Sequence, residues 1–192
     1  MSMCRKLARI AGTGVIALAT FLGTATAAQA DTVTSVTVPA AVSNGYYQIQ
    51  FDNGLCFDVP NGNYARNVHV IQYGCNNGDN QIWHVYPTDA THFKIQALHP
   101  DANGVYLCLN NWEGGNQQGN HIELYDCTVS DGDGQFNRLQ YNWDTGGYNW
   151  VLQPRSASNQ CVNGWGGDQP GDELRLWGCQ LSSNEVIHFY PV

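Results

Sequence analysis

The chain has few charged residues, and those it has are mostly acidic. Asp, Glu, Lys and Arg together make up 12% of its 192 residues, and Lys6 and Lys94 are the only lysines. All 16 acidic residues follow residue 30, which leaves residues 31–192 with five basic residues and a net charge of −11. Such a surface repels phosphate groups. We therefore expect neither a nucleic acid nor an anionic membrane surface as a partner.

Sequence motifs of common enzyme classes are also absent. Residues 31–192 contain no Gly-x-Ser-x-Gly, no His-Glu-x-x-His and no phosphate-binding glycine loop. The segment Asp131-Gly132-Asp133-Gly134 begins like a calcium loop, but the remaining ligands do not follow, so we interpret it as a turn. We expect no catalytic residue, no metal and no cofactor. A hydrolase that uses two of the many carboxylates stays an alternative. The six histidines are scattered, and we interpret them as packed or surface residues: His69, His84, His92, His99, His121 and His188.

The sequence has one long apolar run, Ile10–Gly23, which is too short and too interrupted by Gly and Thr to span a bilayer. It follows three basic residues and precedes Ala28-Gln29-Ala30, which fits the small-x-small rule for signal cleavage. We expect residues 1–30 to be a signal peptide, and the mature protein to be secreted and to have no membrane span. The long Ala/Thr-rich signal is typical of Gram-positive bacteria.

Six cysteines remain once Cys4 is removed with the signal. An even number of cysteines in an exported chain predicts disulfides. Zinc is the rival interpretation, but the cysteines are at least 18 residues apart, whereas structural zinc sites have close ligand pairs. The six cysteines are Cys56, Cys75, Cys108, Cys127, Cys161 and Cys179, and successive gaps of 19, 33, 19, 34 and 18 residues separate them.

The alternation of short and long gaps indicates a threefold repeat with a period of 52–53 residues. The sequence around the first cysteine recurs as Leu55-Cys56-Phe57-Asp58, Leu107-Cys108-Leu109-Asn110 and Gln160-Cys161-Val162-Asn163. An aromatic residue stands two positions before each second cysteine: Tyr73, Tyr125 and Trp177. Repeat symmetry favours one disulfide within each repeat: Cys56–Cys75, Cys108–Cys127 and Cys161–Cys179.

The residue pattern predicts an all-β domain. Each repeat begins with alternating apolar and polar residues, which is typical of a half-buried strand. The alternating runs are 47–51, 93–97 and 148–152, and short apolar runs at 68–73, 122–125 and 174–177 predict further strands. Clusters of Asn, Asp and Gly between the runs indicate turns. We place the repeats at about 44–90, 91–145 and 146–192, and interpret residues 31–43 as an N-terminal extension that forms an edge strand or stays loose.

These repeats resemble the ricin-type β-trefoil lectins and related bacterial carbohydrate-binding modules. The family repeat contains Cys-Leu-Asp-Val, an aromatic residue two before the second cysteine, and a closing Gln-x-Trp. The first repeat matches all three, with Cys56-Phe57-Asp58-Val59, Tyr73 and Gln81-Ile82-Trp83. Gln135-Phe136-Asn137 and Asn184–Ile187 stand at the closing motif of the other repeats. The resemblance covers residues 44–192 and implies a β-trefoil that binds a neutral carbohydrate noncovalently and is not an enzyme.

The resemblance also implies a sugar site in the first repeat. Asp58 is expected to accept hydrogen bonds from two sugar hydroxyls, Tyr73 to pack on the sugar ring, and Asn80 to bind the hydroxyls from the side. Gln81 is expected to bind the sugar or to brace the site. The family's polar residue four before the second cysteine is replaced by Ile71, and the neighbouring glutamine is expected to face inward. Structural roles are the alternatives: a turn cap for Asp58, disulfide packing for Tyr73 and turn formation for Asn80.

The second and third repeats carry weaker candidate sites. Asparagine replaces the aspartate in both, and a neutral amide makes no charge-assisted hydrogen bond. A tryptophan four residues after the first cysteine either stacks on a sugar or covers the open end of the trefoil. The residues concerned are Asn110, Trp112 and Tyr125 in the second repeat, and Asn163, Trp165 and Trp177 in the third. These departures from the family pattern keep an alternative function open, recognition of a protein as a protease inhibitor or toxin subunit.

Overall fold

The computed structural model describes residues 35–36, 43–128, 132–142 and 148–192, which belong to one compact unit, Val33–Val192. The segment expected to be a signal peptide lies outside the described residues. Within the described ranges, no helix has the length and apolar character needed to cross a membrane.

The described residues form thirteen strands, as the all-β prediction requires. The strands are β1 (Ser35–Val36), β2 (Gly45–Phe51), β3 (Leu55–Asp58), β4 (Ile71–Gly74), β5 (Ile82–Pro87), β6 (Phe93–Ala97), β7 (Leu107–Asn111), β8 (Ile122–Asp126), β9 (Phe136–Asn142), β10 (Tyr148–Pro154), β11 (Gln160–Gly164), β12 (Leu174–Gly178) and β13 (Ile187–Pro191). Four short 3-10 helices lie between strands of this set: Pro60–Gly62, Asp79–Gln81, Trp112–Gly114 and Gly132–Gly134.

Each repeat supplies two strands to a barrel and one hairpin to a cap. Antiparallel pairs join β13 to β2, β2 to β5, β5 to β6, β6 to β9 and β9 to β10, and β10 packs beside β13. The cap hairpins are β3–β4, β7–β8 and β11–β12. This arrangement is a β-trefoil, which confirms the predicted fold. Ser35 and Val36 pair with β9 as an edge strand, and the rest of residues 31–42 lies outside the described part of the chain.

The barrel interior contains the apolar positions of the alternating strands. Trp83 is fully buried, and its indole Nε1 donates a hydrogen bond to the Phe57 carbonyl at 3.2 Å, which joins the barrel to the first cap hairpin. Phe136 and Ile187 are fully buried in the other two repeats. The start of the last barrel strand therefore contributes a core residue in each repeat.

Each cap hairpin is closed by a disulfide within its own repeat. The bridges are Cys56–Cys75, Cys108–Cys127 and Cys161–Cys179, with Cα–Cα distances of 5.2, 4.9 and 5.1 Å. The pairing predicted from repeat symmetry is therefore confirmed.

The cap hairpins join one another around a pseudo-threefold axis. The Val70 amide donates to the Ile122 carbonyl at 3.0 Å, and the Leu174 amide donates to the Val70 carbonyl at 2.8 Å. The Leu176 amide donates to the Asn120 carbonyl at 2.8 Å, which links the third hairpin to the second repeat. Backbone contacts between repeats thus hold the cap together, in addition to the core beneath it.

The side chain of Gln72 joins the first repeat to the third. It is fully buried, as its expected inward orientation requires, and its Nε2 donates to the carbonyls of Gly167 at 2.7 Å and Gln169 at 3.3 Å. Its Oε1 accepts a hydrogen bond from Asn53 at 3.0 Å. The glutamine amide lies directly against Gly164, where a Cβ would lie 2.3 Å from Oε1. Glycine at position 164 makes this contact sterically possible.

Candidate functional site

Asp58 and Tyr73 lie on the same face of the first cap hairpin. In the β3–β4 register, Asp58 is opposite Ile71 and Cys56 is opposite Tyr73. Residues two apart on a strand point to the same side, and directly opposed residues share a face. The Tyr73 side chain is 47% exposed, so its ring is accessible on the face that carries the carboxylate.

The Asp58 carboxylate is held in place by two side-chain amides. Asn80 Nδ2 and Gln81 Nε2 each donate to Asp58 Oδ2 at 2.8 Å. Within the described part of the chain, no donor is hydrogen-bonded to the other oxygen, Oδ1. Asp58 is only 3% exposed, and this burial raises its pKa, while the hydrogen bonds from Gln81 and Asn80 lower it to a smaller extent. The two amides therefore fix the carboxylate, and its Oδ1 oxygen can accept further hydrogen bonds.

Gln81 is fully buried and holds the Asp58 carboxylate in place. Its Nε2 also donates to the Gly74 carbonyl at 2.9 Å, and its Oε1 accepts from the backbone amide of Asn76 at 2.8 Å. Both ends of the amide are engaged within the protein. Of the two roles expected for Gln81, the geometry supports bracing and leaves no atom of its amide for a sugar.

Asn80 is partly exposed beside Asp58. It follows the turn at Asp79, and its Nδ2 bonds both Asp58 and the Val59 carbonyl, at 2.8 and 3.3 Å. The Asn80 carbonyl accepts from the Val59 amide at 2.9 Å, which ties the two loops together. Asn80 therefore joins these two loops, and its partly exposed side chain lies at the edge of the site.

Tyr64 is a neighbour of this site that the sequence analysis missed. Burial, and then the negative charges of Asp79 and Asp58, raise the pKa of Tyr64 to about 12. Its hydroxyl is buried and has no hydrogen-bond partner among the described residues. Tyr64 reaches this position because the chain turns at Pro60–Gly62, with Asn61 in the left-handed region at φ 56°. No sequence motif marks such an approach.

The third repeat keeps the same framework but exchanges the carboxylate and the amide. Asn184 Nδ2 donates to Asn163 Oδ1 at 3.1 Å and to the Gly164 carbonyl at 2.7 Å, as Asn80 does to Asp58 and Val59. Glu185 occupies the position of Gln81 and is fully buried, and its Oε2 accepts from the Gln180 and Leu181 amides. Burial raises the pKa of Glu185. In this repeat the acid therefore takes the position of the bracing amide, and an amide takes the position of Asp58.

The second repeat has a third arrangement. Its closing loop is one residue longer, so Phe136 takes the place of Trp83 and Gly134 takes the place of Gln81. The sequence alignment of Gln135 with Gln81 is therefore wrong by one residue. Asp133 then stands at the position of Asn80 and lies against Gly114, where a Cβ would be 2.7 Å from the Asp133 carboxylate. Asn110 lacks the amide brace that Gln81 gives to Asp58.

The aromatic residues of the weaker candidate sites are divided between exposed and packed positions. Trp112 and Tyr125 in the second repeat are 39% and 36% exposed. In the third repeat, Trp165 packs edge-to-face on Trp177 with ring centroids 5.1 Å apart, and Arg175 lies 5.0 Å from the centre of the Trp165 ring. The packing of Trp165 favours the covering role for it more than the exposed position of Trp112 does.

Comparison with known protein families supports the resemblance. Residues 35–125 match the family model described as a ricin-type beta-trefoil lectin domain-like family. The chain is a β-trefoil similar to the ricin-type lectins. The match spans the first repeat and most of the second, which includes the hairpin that carries Asp58 and Tyr73. No curated protein sequence matches the chain.

Solved structures share the trefoil at low sequence identity. The designed threefold symmetric protein ThreeFoil is 19% identical with a TM-score of 0.66, and the match covers 78% of this chain and 100% of that one. A ricin B-like lectin from Macrolepiota procera in complex with lactose is 18% identical with a TM-score of 0.57, over 78% and 97% of the two chains. An exo-beta-1,3-galactanase from Clostridium thermocellum is 14% identical with a TM-score of 0.63, over 77% of this chain and 30% of that enzyme.

Proposed function

We propose that the trefoil binds a neutral carbohydrate noncovalently through Asp58, Tyr73 and Asn80 of the first repeat. The main support is the Asp58 carboxylate, whose Oδ2 is fixed by two amides while Oδ1 carries no hydrogen bond from the described residues. An oxygen positioned in this way accepts charge-assisted hydrogen bonds from sugar hydroxyls. The exposed Tyr73 ring on the same face offers an apolar surface to the C–H side of a sugar ring.

The other two repeats contribute less in this proposal. Asn110 and Asn163 provide no negative charge at the position of Asp58, so hydrogen bonds to sugar hydroxyls there are weaker. Trp112 and Tyr125 are exposed aromatic residues and form the better secondary surface. Trp165 packs on Trp177, which favours the covering role of Trp165.

We further propose that the protein acts outside the cell and without chemistry of its own. Three disulfides within 192 residues fit an oxidising compartment, in agreement with the expected signal peptide. The Macrolepiota procera lectin holds lactose on the same fold, whereas only 30% of the galactanase is covered by this chain. The trefoil alone therefore corresponds to a binding module, and we expect no turnover of a bound glycan.

A glycan array with protein comprising residues 31–192, followed by titration of the best ligand, tests the proposal. We expect Asp58→Asn to weaken binding about ten- to a hundredfold, because a charge-assisted hydrogen bond contributes roughly 1.5–3 kcal/mol. Asp52→Asn is the matched control, since it makes the same change at an exposed aspartate that pairs with His188. The control should bind like the unsubstituted protein.

Two results would contradict the proposal in different ways. If Asp58→Asn retains full affinity while Trp165→Ala removes binding, the first-repeat site is wrong and the third-repeat aromatic surface binds the sugar. If no glycan binds the folded protein, carbohydrate recognition is wrong. Recognition of a protein, as by a protease inhibitor or toxin subunit, is then the better interpretation, and the degenerate second and third repeats favour it.

A further inference from the structure

Three potential metal ligands meet where the cap hairpins converge. His69, His121 and Glu173 each stand six residues before the second cysteine of their repeat, so they occupy equivalent positions on three different hairpins. In the sequence the histidines are scattered, and we interpreted them as packed or surface residues. The fold brings two of them, His69 and His121, side by side at the pseudo-threefold axis, because repeats that are far apart in sequence meet there. We refer to His69, His121 and Glu173 as the axial triad.

The axial triad is closely spaced and partly exposed. His69 Nδ1 lies 3.0 Å from Glu173 Oε1, and His121 Nδ1 lies 3.0 Å from Glu173 Oε2. The two imidazole rings stack with centroids 4.0 Å apart and an interplanar angle of 25°. One ligand atom from each residue can be chosen so that all three lie within 4.8 Å of one another. The three side chains retain partial exposure, while the His121 Nδ1 atom itself is buried.

We propose that the axial triad binds a divalent transition metal, with Zn²⁺ as the expected ion. Two imidazole nitrogens and one carboxylate oxygen are a ligand set that zinc accepts, with an open position for water. Zinc bound about 2.0–2.1 Å from tetrahedral ligands places neighbouring ligand atoms about 3.3 Å apart. The two nitrogen–oxygen distances of 3.0 Å are near this value, but they involve different oxygens of Glu173, Oε1 with His69 and Oε2 with His121. A single carboxylate oxygen serves both imidazoles only after the Glu173 side chain rotates.

Arg175 is the main opposing group. Its Nε and Nη2 donate to Glu173 Oε2 at 3.0 and 2.8 Å, so its positive charge lies beside the carboxylate. Both bonds go to Oε2 and leave Oε1 on the side of His69. The guanidinium also lies over the Trp165 ring. Arg175 therefore orients Glu173 while reducing the affinity for a cation, and removing its charge should strengthen binding.

The surroundings of His121 favour its neutral form. Burial, and then the charges of His69 and Arg175, lower the pKa of His121. Only the neutral imidazole can donate a lone pair to a metal. Trp112 contacts the same ring edge-to-face, with centroids 6.1 Å apart, and limits its rotation.

Metal binding would link the three repeats, since each ligand comes from a different hairpin. An ion that binds the folded chain and not the unfolded chain raises the apparent stability by mass action. The expected consequence is a zinc-dependent increase in thermal stability that requires all three ligands. It does not depend on the proposed sugar site.

The test uses untagged protein of residues 31–192, freed of metal with a chelator and titrated with ZnCl₂ by calorimetry. We expect one ion per chain and a higher Tm with zinc. Co²⁺ should give visible absorption bands with the intensity of four- or five-coordinate cobalt. Glu173→Gln and His121→Asn should each weaken zinc binding at least tenfold, and Arg175→Gln should strengthen it severalfold. The matched control is His188→Asn, which removes a histidine of similar exposure that pairs with Asp52 and lies outside the triad. It should bind zinc like the unsubstituted protein.

The proposal is overturned if millimolar zinc gives no binding, or if Glu173→Gln and His121→Asn bind as tightly as the His188→Asn control. Near-UV circular dichroism establishes that each variant is folded. Should the triad variants fail to fold, nitrogen-15 spectra of the unsubstituted protein decide, because zinc must shift the ring nitrogens of both His69 and His121. Shifts confined to other histidines would refute the triad as the site.

Discussion

At the scale of single residues, Asp58 combines burial with two amide hydrogen bonds, and these act on its pKa in opposite directions. Burial is the larger influence and raises the pKa above the ordinary value for aspartate. Relative to the unfolded chain, the folded protein therefore favours the protonated acid. The resulting contribution to stability is present below the unfolded-state pKa and is lost as the pH rises through the folded-state pKa. Carbohydrate binding should depend on pH in the opposite sense, since only the carboxylate is a full acceptor.

We therefore predict that sugar affinity falls on acidification at a pH above that at which an ordinary aspartate, with a pKa of about 3.9, takes up its proton. Protonation of Asp58 does not destabilise the fold, so near-UV circular dichroism should keep its native form over the range in which binding weakens. Calorimetric titration at several pH values between about 7 and about 4 measures the effect. Asp58→Asn should lack this dependence. Constant affinity of the unsubstituted protein throughout that range would show that Asp58 does not contact the sugar.

At the scale of secondary-structure elements, the contact between β4 and β11 distinguishes the first hairpin from the others. The buried Gln72 side chain bonds two carbonyls of the loop that follows β11, and it fits only because residue 164 has no Cβ. The residue of the second repeat that is equivalent to Gly164 is Asn111, whose side-chain amide donates to the Gly115 carbonyl and to Ser156. The three hairpins thus share a backbone arrangement but differ in the side chains that join them.

Gly164→Ala should destabilise the protein by about 1–3 kcal/mol, because the new methyl group collides with the Gln72 amide in a packed interior. Gly74→Ala is the matched control, since it lies at the end of a cap strand and a Cβ there has no neighbouring atom within 4 Å. Urea unfolding followed by tryptophan fluorescence measures both variants, and the control should differ from the parent by less than about 0.5 kcal/mol. Equal stability of the two variants would mean that Gln72 can move away at little cost.

The sequence predicted the elements better than it predicted the contacts between repeats. Strand alternation and cysteine spacing are local patterns, and they indicated the hairpins and the three disulfides correctly. The engagement of both ends of the Gln81 amide depends on a loop that folds back from Asn76, which no motif marks. In the second repeat the closing loop is one residue longer, so only the folded register places Asp133 at the position of Asn80. The meeting of His69 and His121 required the trefoil itself, because 52 residues separate them.

At the scale of the whole molecule, the disulfides connect residues within one repeat, whereas noncovalent contacts also connect different repeats. Each disulfide closes one hairpin within a repeat, with separations of 19, 19 and 18 residues. The barrel ladders and cap contacts join different repeats. Loss of a bridge should therefore lower the stability of the whole trefoil without changing which strands pair.

Replacing one cysteine pair by alanines, at positions 161 and 179, should cost roughly 3 kcal/mol in the chain-entropy model. For a chain of this size the loss corresponds to a decrease in Tm of about 6–12 °C. Because the loops are of nearly equal length, the same replacement at positions 56 and 75 should give a similar decrease. Differential scanning calorimetry measures both. A change in Tm below about 2 °C for either pair would contradict an equal role of the bridges.

The first and last strands of the trefoil lie side by side. Strand β13 pairs with β2 along its whole length, and the Val192 amide donates to the Tyr46 carbonyl at 3.1 Å. In three dimensions the three repeats therefore form a closed ring. Their order in the sequence depends only on where in this ring the chain termini lie. A short peptide joining residue 192 to residue 43, with a new cut in the turn at 88–91, would make the second repeat the first in sequence while leaving each disulfide, the Asp58 site and the axial triad in place.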